Sequence, residues 1–497
     1  MKSAHRLLLH LATGVLAATG TCAAASTTPP NIVCILADDL GYGDVQCLNP
    51  TRGKIPTPHL DRFATQGMTF TDAHSGSSVC SPTRYGLLTG RYAWRTRLQR
   101  GVLEVGADAP LIARDRLTLP ALLRAQGYAT ACIGKWHLGF TSDSPPGNGW
   151  AGRGPGKDGL PLGARTTDDP TTHGFDTFWG ISHARAMVSL HEGDRVTTLV
   201  EPVDLLPRLT QRAIDYLAAQ AGAAKAGRPF FLYVALPAPH TPLVPTAEWK
   251  GRSALGPYGD FVMQTDDSVG RILAALDRLG LTANTLVMFT SDNGCAVQAG
   301  TEKLEALGHF ASAQFRGYKA DIWEGGHRVP FFVRWPGQVP PGSSNHALIG
   351  LGDFMATVAE ILRVELPSDA APDSVSFLRV LRGTAAAGRE SLVHHSKDGV
   401  FALREGNWKL ILSGGSGGYG KPSQDDASQQ GLPDAQLYDL RADPAETTNL
   451  VVQHPTEAVR LLARLRSEVA RGRSTPGPTQ ANDVEVRLPL PRSIPAR

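Results

Sequence analysis

The sequence Asn31-Ile-Val-Cys-Ile-Leu36 runs directly into Ala37-Asp38-Asp39. An almost wholly apolar run of this length predicts a strand that is buried on both faces. Such a strand is typical of a mainly parallel sheet that is covered by helices on both sides. The two carboxylates behind it indicate a site at the carboxyl end of the strand, where open α/β sheets bind their ligands.

Three further apolar runs, at residues 128–133, 229–236 and 285–290, also lead into polar groups. These groups are Gly134-Lys135-Trp136-His137, Pro239-His240 and Ser291-Asp292-Asn293-Gly294. Helical patterns lie between the runs, at residues 117–126, 209–221 and 266–279. The alternation of strand and helix predicts an α/β sandwich with a large, mainly parallel sheet between helices.

The strand ends supply a set of oxygen ligands. It consists of Asp38, Asp39, Asp292 and Asn293. Three carboxylates and an amide carbonyl suit a hard cation, Ca²⁺ or Mg²⁺, and suit zinc poorly. A single pair of acids could equally cap a helix or lie on a surface loop, so the prediction rests on all the strand ends together.

The most specific motif is Cys80-Ser-Pro-Thr-Arg84. Ser81 is a good N-cap and Pro82 a good first helical residue, so Cys80 is expected just before a helix N-terminus. The helix dipole and free N–H groups favour negative charge there, and Arg84 can return its guanidinium to the same place. From these residues alone, a cysteine thiol of low pKa or an accidental cap remains open.

This motif, with Leu88-Thr-Gly-Arg91 behind it, resembles the signature of the type I sulfatases, the formylglycine-dependent arylsulfatase family of the alkaline phosphatase superfamily. Segments between about residues 31 and 450 resemble that family in family order. They are Ala37-Asp-Asp-Leu-Gly-Tyr-Gly-Asp44, Gly134-Lys-Trp-His-Leu-Gly139, Pro239-His-Thr-Pro242, Thr290-Ser-Asp-Asn-Gly294, Arg316-Gly-Tyr-Lys319, Trp323-Glu-Gly-Gly326 and Leu437-Tyr-Asp-Leu440 with Asp443-Pro444. The family commonly has glycine at Tyr318 and Ala320 and proline at Cys295, departures that bear on substrate fit.

The resemblance implies an alkaline-phosphatase-like fold and the hydrolysis of a sulfate ester, of a carbohydrate or an aryl alcohol, to the alcohol and inorganic sulfate. It implies that a formylglycine-generating enzyme oxidises Cys80 to formylglycine, which is the nucleophile and a further metal ligand beside the four oxygen ligands. The residues around the sulfate would be Arg84, Lys135, His137, His240 and Lys319. Protonation of the leaving group would fall to His240 or Lys319, and deprotonation of the second formylglycine hydroxyl to His137.

Two alternatives compete with this interpretation. A phosphonate or phosphate ester hydrolase of the same superfamily would share the nucleophile and metal set, although the lysines and histidines favour sulfate. A non-catalytic carbohydrate-binding protein is expected to have lost a ligand or the nucleophile, and this sequence keeps both. The sequence does not identify the sulfated substrate. Candidates for its pocket are His183, Arg185, His191, Glu192 and the loop at 144–170, although polar residues of this kind are equally common on a protein surface without any role in binding.

The N-terminus predicts export. Charged residues precede an apolar run at residues 7–18, and Ala23-Ala24-Ala25 follows it. This pattern indicates a secretory signal peptide at residues 1–25, and hence a periplasmic or secreted protein, rather than a buried first helix. No later run is long enough to span a membrane. A net charge of +3 over 497 residues gives no basic footprint for nucleic acid.

The remaining chain is expected to form a catalytic domain at residues 26–385 and a small C-terminal α+β domain at 386–497. Antiparallel strands are predicted at 399–412 and 436–440, a helix at 457–470, and an extended or disordered proline-rich tail after Arg471. The sequence leaves open the oligomeric state and whether the cysteines pair in disulfides. These are Cys34, Cys47, Cys132 and Cys295.

Overall fold

A computed structural model describes residues 28–104, 109–144 and 159–495. The predicted signal peptide at residues 1–25 lies outside these ranges, as do residues 145–158 of the predicted pocket loop at 144–170. Among the described helices, none combines the length and apolarity that a membrane span requires. The five described cysteines are all free, which answers the question of disulfide pairing for this part of the chain.

The strands are numbered along the chain. They are β1 (Asn31–Asp38), β2 (Met68–Phe70), β3 (Ala73–His74), β4 (Ala129–Lys135), β5 (Thr141–Ser142), β6 (Thr166–Thr167), β7 (Thr177–Ile181), β8 (Ser189–Glu192), β9 (Arg195–Leu199), β10 (Phe230–Pro239), β11 (Thr285–Ser291), β12 (Phe331–Arg334), β13 (Ser343–Asn345), β14 (Ile349–Gly350), β15 (Ser391–His395), β16 (Phe401–Glu405), β17 (Trp408–Ile411) and β18 (Gln436–Asp439).

The helices are numbered in the same way. They are α1 (Pro58–Gln66), α2 (Cys80–Thr89), α3 (Leu119–Ala125), α4 (Pro202–Lys225), α5 (Gly256–Arg278), α6 (Thr301–Ala306), α7 (Glu324–His327), α8 (Phe354–Leu362), α9 (Leu378–Leu381), α10 (Gln424–Gln429) and α11 (Pro455–Ala470). The helical patterns read from the sequence correspond to α3, α4, α5 and α11.

A ten-stranded sheet forms the centre of the molecule, in the order β13-β2-β12-β11-β1-β10-β4-β7-β8-β9. Its five middle strands, from β11 to β7, are parallel, whereas β12 and β8 pair antiparallel to them. The predicted runs are β1, β4, β10 and β11, and these four strands are adjacent. The α/β architecture expected from the sequence is therefore confirmed.

The position of strand β1 in the sheet explains why residues 32–36 are apolar at successive positions. Ile32 and Leu36 belong to the core that includes Tyr85 of α2, while Val33 and Ile35 belong to the core that includes residues of α4 and α5. Successive side chains of a strand point to opposite faces. Because helices cover both faces of this sheet, both sets of positions must be apolar.

The smaller sheet has four antiparallel strands in the order β15-β16-β17-β18, and α11 packs on it. The prediction of one strand over 399–412 is wrong, since this segment is the hairpin of β16 and β17. Glu405 pairs with Trp408, which leaves Gly406 and Asn407 as a two-residue turn. Gly406 has φ +55°, the left-handed conformation that such tight hairpin turns require. Strand β15 was not predicted.

A buried histidine cluster lies where β3, α7 and β15 meet. The Nδ1 atoms of His74 and His327 lie 3.0 Å apart, and the His327 and His394 rings stack with centroids 3.8 Å apart. Lys409 Nζ lies 3.0 Å from both Glu324 Oε1 and His327 Nε2. Burial lowers the pKa of all three histidines below the ordinary imidazole value, so the folded protein keeps them neutral.

This cluster predicts a loss of stability in mild acid. The unfolded chain takes up protons as the pH falls through about 6.5, while the folded cluster does not, so stability is retained above that pH and lost below it. Each histidine is expected to lower the free energy of unfolding by up to about 1.4 kcal/mol per pH unit below pH 6.5. His394→Phe keeps an aromatic ring in the stack but removes one titrating group. Urea unfolding of this variant between pH 7 and 5 should therefore show a shallower decline than the wild type.

His454→Phe is the matched control. His454 is exposed and packs against Trp408, so its replacement should leave the pH dependence of stability as in the wild type. Equal slopes for His394→Phe and the wild type would show that the cluster does not cause the acid sensitivity.

Candidate active site

The predicted polar groups lie together at one edge of the large sheet. Asp38 ends β1, Lys135 ends β4, and Asp292 follows β11 directly. Because these strands are parallel and close together in the sheet, their carboxyl ends meet. Asp39 and His137 follow their strands with φ +65° and +56°, left-handed conformations that asparagine, aspartate and histidine adopt more readily than most residues. These turns redirect the chain at the edge where the side chains collect.

Two buried ion pairs form the floor of the site. Lys135 Nζ lies 2.6 Å from Asp38 Oδ2, and Arg84 donates from Nε and Nη2 to Asp292 Oδ2 at 3.1 and 2.7 Å. Burial alone would raise the pKa of Asp38, but Lys135, His240 and Arg84 hold it well below the usual range. Burial, and then the charge of Asp38, raise the pKa of Asp292 to about 6. Arg84 and Lys135 therefore only partly offset the effects of burial and of the neighbouring carboxylates on the pKa of Asp292.

Asp39 collects a second group of partners. Lys319 Nζ lies 2.7 and 2.8 Å from its two carboxylate oxygens, and His240 Nε2 lies 3.6 Å from Oδ2. Asn293 Nδ2 donates to Asp39 Oδ1 at 2.7 Å. Burial lowers the pKa of His240 to about 4 although Asp39 opposes this shift. Burial also lowers the pKa of Lys319, but Asp39, Cys80 and Asp38 together outweigh it, so the pKa of Lys319 lies above its ordinary value.

The four oxygen ligands predicted from the sequence fit a hard divalent cation. All four are buried, and Asn293 Oδ1 has no hydrogen-bond partner in the described part of the chain. A buried carbonyl oxygen without a partner is costly, and a cation would supply that partner while reducing the repulsion between carboxylates. Ligand atoms of Asp38, Asp39, Cys80 and His240 lie within 4.8 Å of one another. The donor set is of the kind that Ca²⁺ and Mg²⁺ prefer.

Cys80 is the first residue of α2, and Val79 occupies the N-cap position. The prediction that Ser81 caps this helix is wrong, because Ser81 Oγ instead accepts a hydrogen bond from Leu103 N at 3.1 Å. Cys80 still lies at the helix N-terminus, with its Sγ 3.5 Å from Asp38 Oδ1. Burial and the charge of Asp292 raise the pKa of the Cys80 thiol above its ordinary value. Both effects disfavour the thiolate of low pKa that the motif alone left open.

His137 presents one unpartnered ring nitrogen. Its Nε2 lies 3.0 Å from the carbonyl oxygen of Leu103, and its buried Nδ1 has no partner among the described residues. The His183 ring packs edge-on against it with centroids 4.1 Å apart. Burial lowers the pKa of His137 well below the ordinary value and that of His183 to about 2. Since the Leu103 carbonyl accepts only from an N–H, Nδ1 of the neutral His137 ring is a proton acceptor.

A cavity of about 880 Å³ opens above these groups. Its lining includes four of the predicted site residues, Cys80, His137, His240 and Lys319. Of the predicted pocket residues, His183 and Arg185 line it. His191 is instead buried beside Phe140 and Phe178, and Glu192 pairs with Arg212 on the surface, so these two do not belong to the pocket.

Several lining residues were not predicted. They are Val79, Gly101, Val102, Glu104, Thr241, Pro242, Leu243, Pro257, Gln298, Lys397 and Tyr419. Thr241 and Pro242 directly follow His240, so the strand-end pattern pointed toward them. Lys397 and Tyr419 come from loops of the smaller sheet, and no local sequence signal connects them with the site.

Comparisons with known proteins agree on one family. A family model described as sulfatase matches residues 30–364. An N-acetylgalactosamine-6-O-sulfatase of Bacteroides thetaiotaomicron is 33% identical over 88% of this chain and 93% of the relative, and human arylsulfatase A is 33% identical over 91% and 87%. A solved structure from work on the metabolism of multiple glycosaminoglycans by Bacteroides thetaiotaomicron has a TM-score of 0.76 at 32% identity, covering 89% of this chain and 99% of that one.

Proposed function

The chain belongs to the sulfatase family and hydrolyses sulfate esters, and on this basis we propose its nucleophile, its metal ligands and its substrate class. The nucleophile is formylglycine formed from Cys80. The metal ligands are Asp38, Asp39, Asp292 and Asn293, with the modified Cys80 as a further contact, and the ion is Ca²⁺, with Mg²⁺ as the alternative. The substrate is a sulfated carbohydrate, with a 6-O-sulfated amino sugar as its preferred unit.

One observation carries the proposal. Cys80, at a helix N-terminus, and Lys319 line one cavity, and the carboxylates of the proposed metal ligands beside Cys80 hold three buried or nearly buried cations. The cations are Arg84, Lys135 and Lys319. A sulfate ester carries one negative charge, which spreads over the non-bridging oxygens as the ester bond breaks. Fixed positive charge aimed at that place is usually the largest contribution to catalysis.

The bound cation would add a Lewis acid to this set of charges. Arg84 and Lys135 are held by Asp292 and Asp38, so their positions are fixed before substrate binds. Lys319 is held by Asp39 but also lines the cavity, where its ammonium can reach the oxygen that leaves. These placements favour stabilisation of the transition state without rearrangement of the protein.

Proton transfers are assigned by position. A formylglycine hydrate supplies two hydroxyls on one carbon, one to attack sulfur and one whose deprotonation releases sulfate. His137 Nδ1 has no hydrogen-bond partner among the described residues, and we assign to it the proton from a hydroxyl at residue 80. His240 and Lys319, which both line the cavity, are the groups that can protonate the leaving oxygen.

A substrate panel tests this function. Protein matured with a formylglycine-generating enzyme is assayed on N-acetylgalactosamine 6-sulfate, glucosamine 6-sulfate and 4-nitrophenyl sulfate, beside the matching phosphate esters. The proposal expects sulfates to be preferred over phosphates and the 6-O-sulfated amino sugars to have higher kcat/KM than the aryl sulfate. If every phosphate ester were turned over faster than the matching sulfate ester, the sulfatase assignment would be overturned. An aryl sulfate as best substrate would overturn only the sugar preference.

Lys319→Ala tests the leaving-group role. Loss of one preorganised charged donor typically costs about 10²–10³ in rate, and this loss should appear in kcat on sugar sulfates. It should be smaller on 4-nitrophenyl sulfate, whose good leaving group needs little protonation. Lys135→Ala is the matched control, because Lys135 binds Asp38 in the floor of the site and should lose rate equally on both substrates. Equal losses for Lys319→Ala would assign the proton donation to His240.

We further propose that residues 1–25 direct export, so that the mature protein is periplasmic or secreted. The charged start, the apolar run and the small-residue end of that segment support this. A boundary near residue 385 between a catalytic part and a smaller C-terminal part is proposed as well. It is supported by the position of β15, the first strand of the small sheet, which begins at Ser391.

A further inference from the structure

The smaller sheet contributes one wall of the catalytic cavity. Lys397 lies in the loop between β15 and β16, and Tyr419 lies in the loop between β17 and β18. Both line the cavity that contains Cys80, although more than three hundred residues separate them from Cys80 in the sequence. The smaller sheet therefore completes the cavity, and its two side chains are placed to contact a ligand bound there.

The two loops are fixed to the catalytic residues by main-chain hydrogen bonds. Lys397 N donates to the carbonyl oxygen of Ala320, the residue after Lys319, at 3.1 Å, and Ile322 N donates to Ser416 O at 2.8 Å. Gly420 N donates to Asp321 Oδ1 at 2.7 Å. Lys397 and Tyr419 are therefore held at a defined position relative to Lys319 and the other cations proposed to bind the sulfate group. This lowers the entropic cost of ordering the two side chains when a ligand binds.

A glycine permits the close approach of these loops. A Cβ atom at Gly418 would lie 2.4 Å from the carbonyl carbon and oxygen of Ala320. The loops are also joined to each other, since Asp398 N donates to Gly417 O at 2.9 Å. The wall is thus one connected unit and not two independent loops.

The chemistry of the wall suits a charged sugar. Tyr419 is 46% exposed, and of the large hydrophobic side chains exposed in the described chain it is the one that lines this cavity. Lys397 Nζ lies 5.1 Å from the centre of its ring. Lys397 also pairs with Asp398 at 3.0 Å, but both side chains are partly exposed, and an ion pair of this kind contributes little. An anionic ligand can therefore compete for the ammonium.

We propose that Lys397 and Tyr419 bind the sugar next to the sulfated one. Tyr419 packs against the apolar face of that pyranose ring, and Lys397 pairs with an anionic group on it, a carboxylate or a second sulfate. The substrate class is then an anionic oligosaccharide of at least two sugars. This inference rests on the proposed function of the cavity, because it describes the part of the substrate that lies beyond the reacting ester.

The test compares three disaccharides that share a 6-O-sulfated N-acetylhexosamine. The neighbouring sugar is a uronic acid, the same sugar with its carboxyl group reduced to an alcohol, or a neutral sugar with a second sulfate. A hydrogen bond to a charged group corresponds to roughly tenfold in affinity. The wild type is therefore expected to have about tenfold lower KM for at least one charged disaccharide than for the reduced one. The charged disaccharide with the lower KM identifies the anionic group that Lys397 binds, a carboxylate or a second sulfate.

Two variants separate the roles of the wall. Lys397→Met should abolish the preference for the charged disaccharide through KM, with kcat on the reduced disaccharide retained. Tyr419→Leu should raise KM for charged and reduced disaccharides alike, while Tyr419→Phe, which keeps the ring, should resemble the wild type. A preference that survives in Lys397→Met, or a loss in Tyr419→Phe as large as in Tyr419→Leu, would overturn the inference.

The failure of this inference can be told apart from failure of the proposed function. Turnover of 4-nitrophenyl sulfate by the wild type reports on the sulfatase site without a second sugar. If that ester is hydrolysed but charged and reduced disaccharides are equivalent, the wall binds no anionic sugar and the sulfatase function stands. If no sulfate ester is hydrolysed by fully matured protein, the proposed function itself is wrong.

Discussion

Replacing Cys80 with alanine is expected to lower kcat on every sulfate ester by at least about 10⁴-fold, the scale on which enzymes lose rate with their nucleophile. Alanine removes the thiol, without which Cβ of residue 80 cannot be oxidised to the aldehyde of formylglycine. The cation ligands, Arg84 and the lysines stay in place, so the variant should still bind substrate. Measurement of single-turnover rates and of substrate affinity would separate these two effects.

Cys34→Ala provides the matched control. Cys34 is a buried thiol like Cys80, but it lies within β1 and belongs to the core under α2. Its replacement removes a sulfur atom from the interior and should cost stability, with kcat close to the wild type. Full sulfatase activity in Cys80→Ala, in a preparation whose peptide mass verifies the substitution, would refute the assignment of the nucleophile.

Asp292→Asn is expected to lose the bound cation and to lower kcat by about 10³-fold, since both the cation and the fixed position of Arg84 depend on this carboxylate. The change keeps the shape of the side chain and removes one of three negative charges in the ligand set. Metal content after desalting, measured by plasma mass spectrometry, should fall from about one ion per chain to near zero. Calcium and magnesium are titrated separately to identify the ion.

Asp373→Asn controls for the broken ion pair. Asp373 accepts from buried Arg95 at 2.9 Å through both oxygens, so its replacement also leaves a buried arginine without its charged partner. Loss of a buried partner costs about 3–5 kcal/mol of stability. Asp373→Asn should show this cost while retaining the metal and the activity. If Asp292→Asn kept stoichiometric metal and normal turnover, the proposed ligand set would be wrong.

The parts of the fold that the sequence predicts are those set by local patterns. The four apolar runs became the adjacent strands β1, β4, β10 and β11, because a strand covered on both faces leaves a continuous apolar signature. The polar groups behind these runs met at one edge because parallel strands end together. The boundaries of elements were less well predicted. Helix α4 begins at Pro202, well before the predicted residues 209–221, because its first turns include Pro202 and Pro207, which do not resemble a helical pattern in the sequence.

The features that the sequence did not predict depend on contacts between distant segments. Ser81 has the sequence of a helix cap, but its hydroxyl oxygen instead accepts a hydrogen bond from the backbone N–H of Leu103, 22 residues away. The flanking strands β8 and β12 are antiparallel, which no local pattern distinguishes from parallel. The cluster of His74, His327 and His394 draws on three remote segments. Lys397 and Tyr419 reach the cavity only because the smaller sheet packs against the loop that carries Lys319.

The state of residue 80 tests the central claim most directly. The protein is produced with and without a formylglycine-generating enzyme, and the peptide that contains Cys80 is analysed by mass spectrometry and with an aldehyde-reactive probe beside the sulfatase assay. We predict that activity rises in proportion to the fraction of residue 80 present as the aldehyde, and that protein with only the thiol is inactive. Full activity in protein whose residue 80 is entirely free thiol would contradict the account.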